Sequence, residues 1–380
     1  MPTVKNRIAQ SYRTFEDQKK FPTVAIHFHE LRVKDIRRET PDCVSIAFDI
    51  APDSEQDFRF MAGQNVTVRK FFDGREVRRS YSICSSPFDN ELRVAVKKVP
   101  EGLFSTFANE QLQTGDVLEV LPPTGNFYTP LDRSQKKKYV FIAAGSGITP
   151  VISLIKTILT TEEQSQVTLL YGNQSLGSVI FKEQLAALKD KYLQRFNLHH
   201  VFSREQTDTE FNSGRIDEGK MKLLRRLTDF NTVDHFFICG PEPRVFTVKA
   251  FLTGEGTDPD KIHFELFTTP AKEAMKGPEP VAAAAEEGSD ITMRIDGRSF
   301  QFKLGYDGKT ILDAGLDHGA DLPFACKGGV CCTCKARLIE GEVEMEANYG
   351  LEKSELKAGY ILTCQSHPRS QKVVVDYDQA

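Results

Sequence analysis

Between residues 24 and 131, apolar and polar positions alternate in short runs. Residues 31–36, 43–48, 66–68, 92–96 and 117–121 each follow a period of two and are separated by turn-forming residues. That rhythm predicts an antiparallel barrel or sandwich. From 138 to 267 the pattern changes. Apolar runs at 139–143, 167–171, 199–203, 236–239 and 262–266 alternate with helical periodicity after Pro150 and over 181–188, 220–227 and 244–252. In the first of these helices Val151, Leu154, Ile155, Ile158 and Leu159 form one apolar face. An open, mostly parallel α/β sheet covered on both faces is expected.

Residues 268–290 are rich in Pro, Ala and Glu and have no apolar periodicity, which predicts a flexible linker spanning roughly 25 Å on average. The last segment, 291–380, reads as a hairpin (291–296 and 299–303), a helix (310–316), a cysteine-rich loop, a second hairpin (336–339 and 343–345), a helix and final strands. Thr310 with Asp313 suits a helix start, and Gly319 suits its end. Residues 1–23 are a mildly basic extension in which nothing suggests chemistry.

With 380 residues the chain has room for two or three cores. A net charge of −4 and a pI near 6.1 give no electrostatic case for nucleic acid. No apolar run approaches membrane-spanning length and no signal-peptide layout is present, so neither a membrane partner nor export is expected. Eight cysteines in this setting point to a reducing, cytoplasmic compartment.

The strongest chemistry lies in those cysteines. Cys326, Cys331 and Cys334 stand at C-x4-C-x2-C spacing, and Cys364 follows at a distance. Three thiolates from a tight loop and a fourth from a strand end are the ligand pattern of a plant-type 2Fe-2S cluster. Gly328-Gly329 is expected to supply the positive φ that turns backbone N–H groups towards sulfur. Structural zinc would call for paired C-x2-C units, and a disulfide scaffold suits small secreted chains. Cys332, inside the loop, is read as a spare thiol.

Weaker motifs stand in the first two regions. Arg79-Ser80-Tyr81-Ser82 on a strand would place a ring beside a cation, fit for a planar phosphate-bearing cofactor, although an ordinary exposed strand reads the same way. Val96-Lys97 precedes Gly102, Phe104 and Ser105 at a helix start, which presents free N–H groups to a pyrophosphate or is simply a capped turn. Gly145-Ser146-Gly147-Ile148-Thr149-Pro150 follows the first parallel strand. Its small residues let a dinucleotide approach, Thr149 can cap the helix and Pro150 suits its first position. Cys239-Gly240-Pro241 ends the fourth parallel strand, where Cys239 is equally well a buried core residue. Ser203-Arg204 ends the third, where a hydroxyl and a guanidinium suit a 2′-phosphate.

In this order the strings resemble the ferredoxin–NADP reductase superfamily, which has R-x-Y-S, a G-x-x-S helix start, G-x-G-x-x-P and C-G-P. The resemblance implies FAD, with Arg79 and Ser105 at the pyrophosphate, Tyr81 and Ser82 at the isoalloxazine, and Val96 and Lys97 lining it. It places Thr149 and Cys239 near the nicotinamide and gives Glu265 and Phe267 a flavin-facing position. The order of elements after residue 291 is similar to the β-grasp fold of plant-type ferredoxins. The expected chain is therefore multidomain: an antiparallel β-barrel flavin domain, an α/β nucleotide domain with an open parallel sheet, and an α+β ferredoxin domain. NADPH is expected over NADH.

Flavin, nucleotide and ferredoxin units in sequence resemble the reductase components of multicomponent oxygenases. The strings around 341–352, 359–365 and 372–378 closely resemble the reductase subunits of phenylacetyl-CoA epoxidases. That implies a di-iron oxygenase as electron acceptor. A reductase of another ring- or steroid-hydroxylating oxygenase, a freestanding NAD(P)H oxidase and a non-catalytic docking subunit are the alternatives. Glu340, Glu342, Glu344 and Glu346 would share one strand face, either solvated or a docking strip.

Overall fold

A computed structural model describes residues 27–267 and 288–379. The predicted extension and nearly all of the predicted linker lie outside the described residues.

Strands β1 (His29–Thr40), β2 (Cys43–Asp49), β3 (Asn65–Phe72), β4 (Arg75–Ser82), β5 (Leu92–Lys97) and β6 (Val117–Val120) form one antiparallel sheet in the order β4-β3-β6-β1-β2-β5. A bridge between Ile83 and Val94 joins its two ends, closing the sheet into a barrel. Closure is possible because every strand keeps one face apolar. Leu31, Val33, Val44, Ile46, Val66, Val68, Val94 and Val96 all point into one buried cluster. Helix α1 (Leu103–Glu110) closes an end of the barrel with Phe104 and Ala108.

The second unit is a five-stranded parallel sheet of β7 (Lys138–Ala144), β8 (Gln166–Asn173), β9 (Phe196–Phe202), β10 (His235–Gly240) and β11 (Ile262–Leu266), in the order β11-β10-β7-β8-β9. Alternation in β7 sorts its side chains between two cores. Tyr139, Phe141 and Ala143 meet α2 (Ile148–Thr161), while Val140 and Ile142 pack on the other face with α4 (Glu218–Leu227) and α5 (Glu242–Gly254). Helix α3 (Lys182–Lys191) adds Leu185 to the first of these. Chain order reverses between β7 and β10, which leaves a crevice beyond their carboxyl ends.

The third unit begins at β12 (Gly288–Ile295), three residues before the expected boundary, and pairs it with β13 (Arg298–Gly305). Helix α6 (Ile311–Asp317) follows. Thr310 caps it by accepting from Asp313 N at 3.2 Å, and Gly319 takes φ +81° just past its end. The expected second hairpin does not form. β14 (Lys335–Glu340) pairs with β16 (Tyr360–Leu362) and β18 (Lys372–Asp376), while β15 (Val343–Met345) pairs with β17 (Ser366–Pro368). Gly341, at φ +93° between β14 and β15, turns the chain out of the first sheet. The main sheet is β13-β12-β18-β14-β16, a β-grasp arrangement with α6 against it, and a short helix α7 (Lys353–Lys357) lies before β16.

Because the chain leaves one sheet for another at Gly341, the four alternating glutamates do not lie on one strand. All four are exposed, but Glu340 pairs with Lys372 (2.7 Å), Glu344 with Arg369 (2.8 Å) and Glu346 bonds to His367 (2.9 Å). Most of that charge is met within the domain.

No described helix is long and apolar enough to cross a membrane.

Candidate functional site

At the crevice, β7 runs into a 3-10 turn, Gly145–Gly147, that continues as α2. Gly147 faces the end of β10 so closely that a Cβ there would sit 2.5 Å from the Cys239 carbonyl carbon and 2.8 Å from Gly240 N. Thr149 is not the helix cap. It lies in the first turn, buried, and donates its hydroxyl to the Ser146 carbonyl at 3.0 Å, while the non-helical residue before the turn is Ala144. Pro150 is the third residue of α2 rather than the first. It is tolerated there because N–H groups of a first turn have no intrahelical partner.

A cavity of about 340 Å³ opens from this turn. Gly145, Ser203, Gly240 and Pro241 from the nucleotide motifs line it, and so do Lys97 and Phe267, both expected at the flavin. Gly172, Asn173, Arg215 and Arg244 line it as well, and no motif marked them. Arg215 and Arg244 repel each other enough to help lower the Arg244 pKa, after burial, which is the larger cause. Arg204 is exposed and does not line the cavity. Its backbone N–H binds the Gln174 carbonyl (2.8 Å), and the Glu205 carboxylate accepts from Leu176 N (2.6 Å).

Across the crevice the end of β4 meets the ends of β10 and β11. The Ser82 hydroxyl donates to Glu265 Oε2 at 3.0 Å, and the Cys239 thiol approaches the same oxygen at 3.9 Å. Burial pushes the Glu265 pKa up to about 8, against a partial lowering by the Ser82 and Cys239 hydrogen bonds. Burial and then Glu265 push the Cys239 thiol well up, so it stays protonated. A carboxyl, a hydroxyl and a neutral thiol thus converge where barrel and parallel sheet touch.

The remaining barrel residues divide by strand face. Tyr81 is half-buried and packs against the barrel core beside Phe104, with ring centroids 5.6 Å apart. Ser80 donates to Asn65 Oδ1 (2.7 Å) on the opposite face, and Arg79 is exposed. Val96 and Phe104 lie in the core and do not present side chains at the crevice. Val96 offers only its carbonyl, which accepts from Asn109 Nδ2 at 3.0 Å. Gly102 precedes α1, and Ser105 Oγ accepts from Val99 N while donating to the Gly102 carbonyl, both at 3.2 Å. These two bonds fix the turn that leads into α1.

The cysteine loop gathers four sulfurs. Cys326 and Cys331 Sγ are 3.1 Å apart, and Cys364 adjoins both Cys326 and Cys334. N–H groups of Gly328 and Cys331 point at Cys326 Sγ, each at 3.4 Å, and Gln365 Nε2 lies 3.7 Å from Cys364 Sγ. The left-handed residues are Lys327 and Gly329, not Gly328, and a Cβ on Gly329 would meet the Ala347 carbonyl at 2.7 Å. No group of three or more His, Cys, Asp or Glu side chains among the described residues surrounds a single point as one metal ion requires. Two adjoining sulfur pairs do suit a two-iron cluster, with one pair for each iron. Cys332 turns away from the set and donates to the Gly350 carbonyl at 2.8 Å.

One side of the loop packs against the barrel, while Lys327 on it is exposed and Cys326 half-buried. Thr333 bonds to Thr67 of β3 (3.2 Å), Arg78 of β4 donates to the Leu322 carbonyl (2.9 Å), and Asn126 donates to Glu355 (2.6 Å) and lies 3.8 Å from Cys332 Sγ. Arg78 and Ser82 share the same face of β4, so the cysteine loop and the Ser82–Glu265–Cys239 contact lie along one side of the barrel.

Comparison with known proteins follows the same division. Residues 30–128 match the oxidoreductase FAD-binding domain, 141–249 the oxidoreductase NAD-binding domain and 293–369 the 2Fe-2S iron-sulfur cluster binding domain. The chain is 44% identical over 352 residues to one subunit of the 1,2-phenylacetyl-CoA epoxidase of Escherichia coli (strain K12), covering 92% of this chain and 98% of that one. The chain belongs to the flavin and 2Fe-2S reductase family of oxygenase systems. Another member, the 3-ketosteroid-9-alpha-monooxygenase ferredoxin reductase component of Rhodococcus rhodochrous, is 33% identical to this reductase over 91% of its length and 96% of the relative. Among solved structures, phthalate dioxygenase reductase shares the fold, with a TM-score of 0.54 and 24% identity over 92% of this chain and 98% of that one. The reductase is accordingly an oxidoreductase with domains for FAD, a nicotinamide nucleotide and a 2Fe-2S cluster.

Proposed function

We propose that this reductase draws electrons from NADPH and passes them singly to the oxygenase of a phenylacetyl-CoA epoxidase in the cytoplasm. The observation that carries the reading is the common face on which the Ser82–Glu265–Cys239 contact and the four-cysteine loop lie, together with 44% identity along nearly the whole chain. When bound, the nicotinamide supplies hydride, the flavin accepts two electrons and releases them one at a time, and the cluster carries one.

The protein's part is to hold these groups in order. Gly145 and Gly147 allow a dinucleotide to cross the end of β7, and Ser203 with Arg215 and Arg244 forms a cationic end for a 2′-phosphate. Arg79 and the start of α1 at Gly102 and Ser105 take the FAD pyrophosphate, while Tyr81 and Ser82 flank the ring. Cys239 sits at the nicotinamide and Glu265 holds a proton beside it at neutral pH, so that no fixed negative charge opposes hydride arrival. Cys326, Cys331, Cys334 and Cys364 ligate the cluster, and the backbone N–H groups on Cys326 stabilise its charge.

Anaerobic titration with NADPH, followed by absorbance and EPR, tests the relay. Flavin bleaching followed by a reduced-cluster signal is expected, and failure to bleach ends the proposal. Arg215→Ala is expected to lower kcat/KM for NADPH about tenfold, the worth of one charge-assisted phosphate contact, with little change for NADH. Reconstituted epoxidation of phenylacetyl-CoA tests the partner. The 33% identity to a steroid monooxygenase reductase makes that oxygenase the control.

A further inference from the structure

Arg78 is 6% exposed, although it projects from the outer face of a barrel strand. The ferredoxin domain covers it together with Phe28, whose ring centre lies 5.0 Å from the guanidinium carbon. Its Nη1 donates to the Leu322 carbonyl at 2.9 Å, its guanidinium carbon lies 4.0 Å from the centre of the Phe324 ring, and Asp321 is 3.7 Å away. Behind it, Glu76 accepts from Nε at 2.9 Å, and Arg69 lies between Glu76 and Glu119. A guanidinium suits this place because its fork can serve Glu76 on the barrel and a carbonyl of the cysteine loop at once, with a flat face left for an aromatic ring. Leu322 and Phe324 stand four and two residues before Cys326, so the grip falls on the segment that carries the first cluster ligand. The Thr67–Thr333 bond repeats the contact beside Cys334.

We infer that Arg78 is a positioning residue for electron transfer from flavin to cluster: it clasps the cysteine loop against the barrel and so holds the two redox groups at their working separation. The inference rests on the relay proposed above. Arg78 acts through its contacts with Leu322 and Phe324 of the loop. Glu76 is half-buried and anchors the guanidinium, so the clasp is preformed on the barrel and takes up the ferredoxin domain as a unit. The same face of the loop is covered in this state, so an external acceptor takes its electron either from another face of the domain or after the clasp opens.

The test is anaerobic stopped-flow reduction of the full-length holoprotein by NADPH, with flavin bleaching and cluster reduction followed separately and the cluster checked by EPR. Arg78→Met, which keeps length and removes charge and donors, is expected to leave flavin reduction at the wild-type rate and slow cluster reduction by about tenfold, the factor for one lost charge-assisted hydrogen bond. Arg78→Lys keeps the charge but not the fork, and an intermediate rate is expected. Cluster reduction at the wild-type rate in Arg78→Met overturns the inference. If that variant loses its flavin, Phe324→Leu decides instead, because it removes the ring from the ferredoxin side and leaves the barrel untouched. Slowed cluster reduction with normal flavin reduction supports the clasp, and wild-type rates for both overturn it. Absence of flavin bleaching in the wild-type protein would instead refute the underlying relay.

Discussion

Gly147→Ala separates steric from conformational effects at the crevice. Gly147 has φ −60° and ψ −8°, values any residue adopts, so alanine brings no backbone strain. In such a setting Gly→Ala ordinarily stabilises a protein by about 0.4–1 kcal/mol through the unfolded chain. Here the new methyl group would lie 2.5 Å from the Cys239 carbonyl carbon, closer than the 3.0 Å that real Cβ atoms respect, and both opposing groups are backbone. The methyl group would lie closer still to the Cys239 carbonyl oxygen, so the turn and the end of β10 must part by most of an ångström. Overpacking of this kind costs about 1–3 kcal/mol, which outweighs the entropic gain. Since misplacement by about 1 Å can cost a hundredfold in rate, a shift of most of that size should slow hydride transfer by roughly tenfold to a hundredfold. Thermal unfolding followed by flavin fluorescence and stopped-flow flavin reduction would measure both effects. A variant that is more stable than wild type, or equally stable and equally fast, would refute the steric reasoning.

Glu265→Gln should change how stability depends on pH. The wild-type carboxyl, raised to about 8 by burial, keeps a proton that the unfolded chain loses above its ordinary value of 4.5. Its contribution is therefore full below that value and declines as pH rises towards 8, with a slope of at most about 1.4 kcal/mol per unit. The glutamine variant should lack that slope in urea unfolding across this range; identical profiles would refute it. Cys332→Ser should retain the cluster absorbance, because a hydroxyl can keep the bond to Gly350, whereas Cys364→Ser should diminish or shift it. Thr310→Ala should cost the ferredoxin domain about 1 kcal/mol by leaving Asp313 N without its cap, which unfolding of the variant would register.

Much of the architecture was legible because it follows from local periodicity. Period-two runs predicted the barrel, and a change to apolar strands between amphipathic helices predicted the parallel sheet. Loop spacing, the loop glycines and a distant fourth cysteine together singled out the four cysteines proposed as ligands, since a loop that must wrap a two-iron cluster permits few arrangements. Where one short strand pairs with another is a different matter. β14 and β15 are neighbours in sequence and join different sheets, because Gly341 takes a left-handed turn between them. The Thr149 cap failed for a related reason: the 3-10 turn at Gly145–Gly147 starts the helical path earlier, so the expected cap lies within the first turn.

The sequence by itself determined the three units, their order and the cysteines proposed as iron ligands, because hydrophobic period and ligand spacing are properties of a short stretch of chain. Only the tertiary structure decided which polar groups meet. Ser82, Cys239 and Glu265 come from three strands in two domains, and it is the burial of Glu265 where those domains meet that raises its pKa, against a partial lowering by its two hydrogen-bond partners. Arg215 and Arg244 carry no motif and become a cationic pair only when the β10 end and the chain after β9 line one cavity. Arg78, one more charged residue beside Arg79 in the sequence, becomes a buried clasp because the ferredoxin domain lies over it. Burial and opposition across a domain boundary depend on distances that no local pattern encodes.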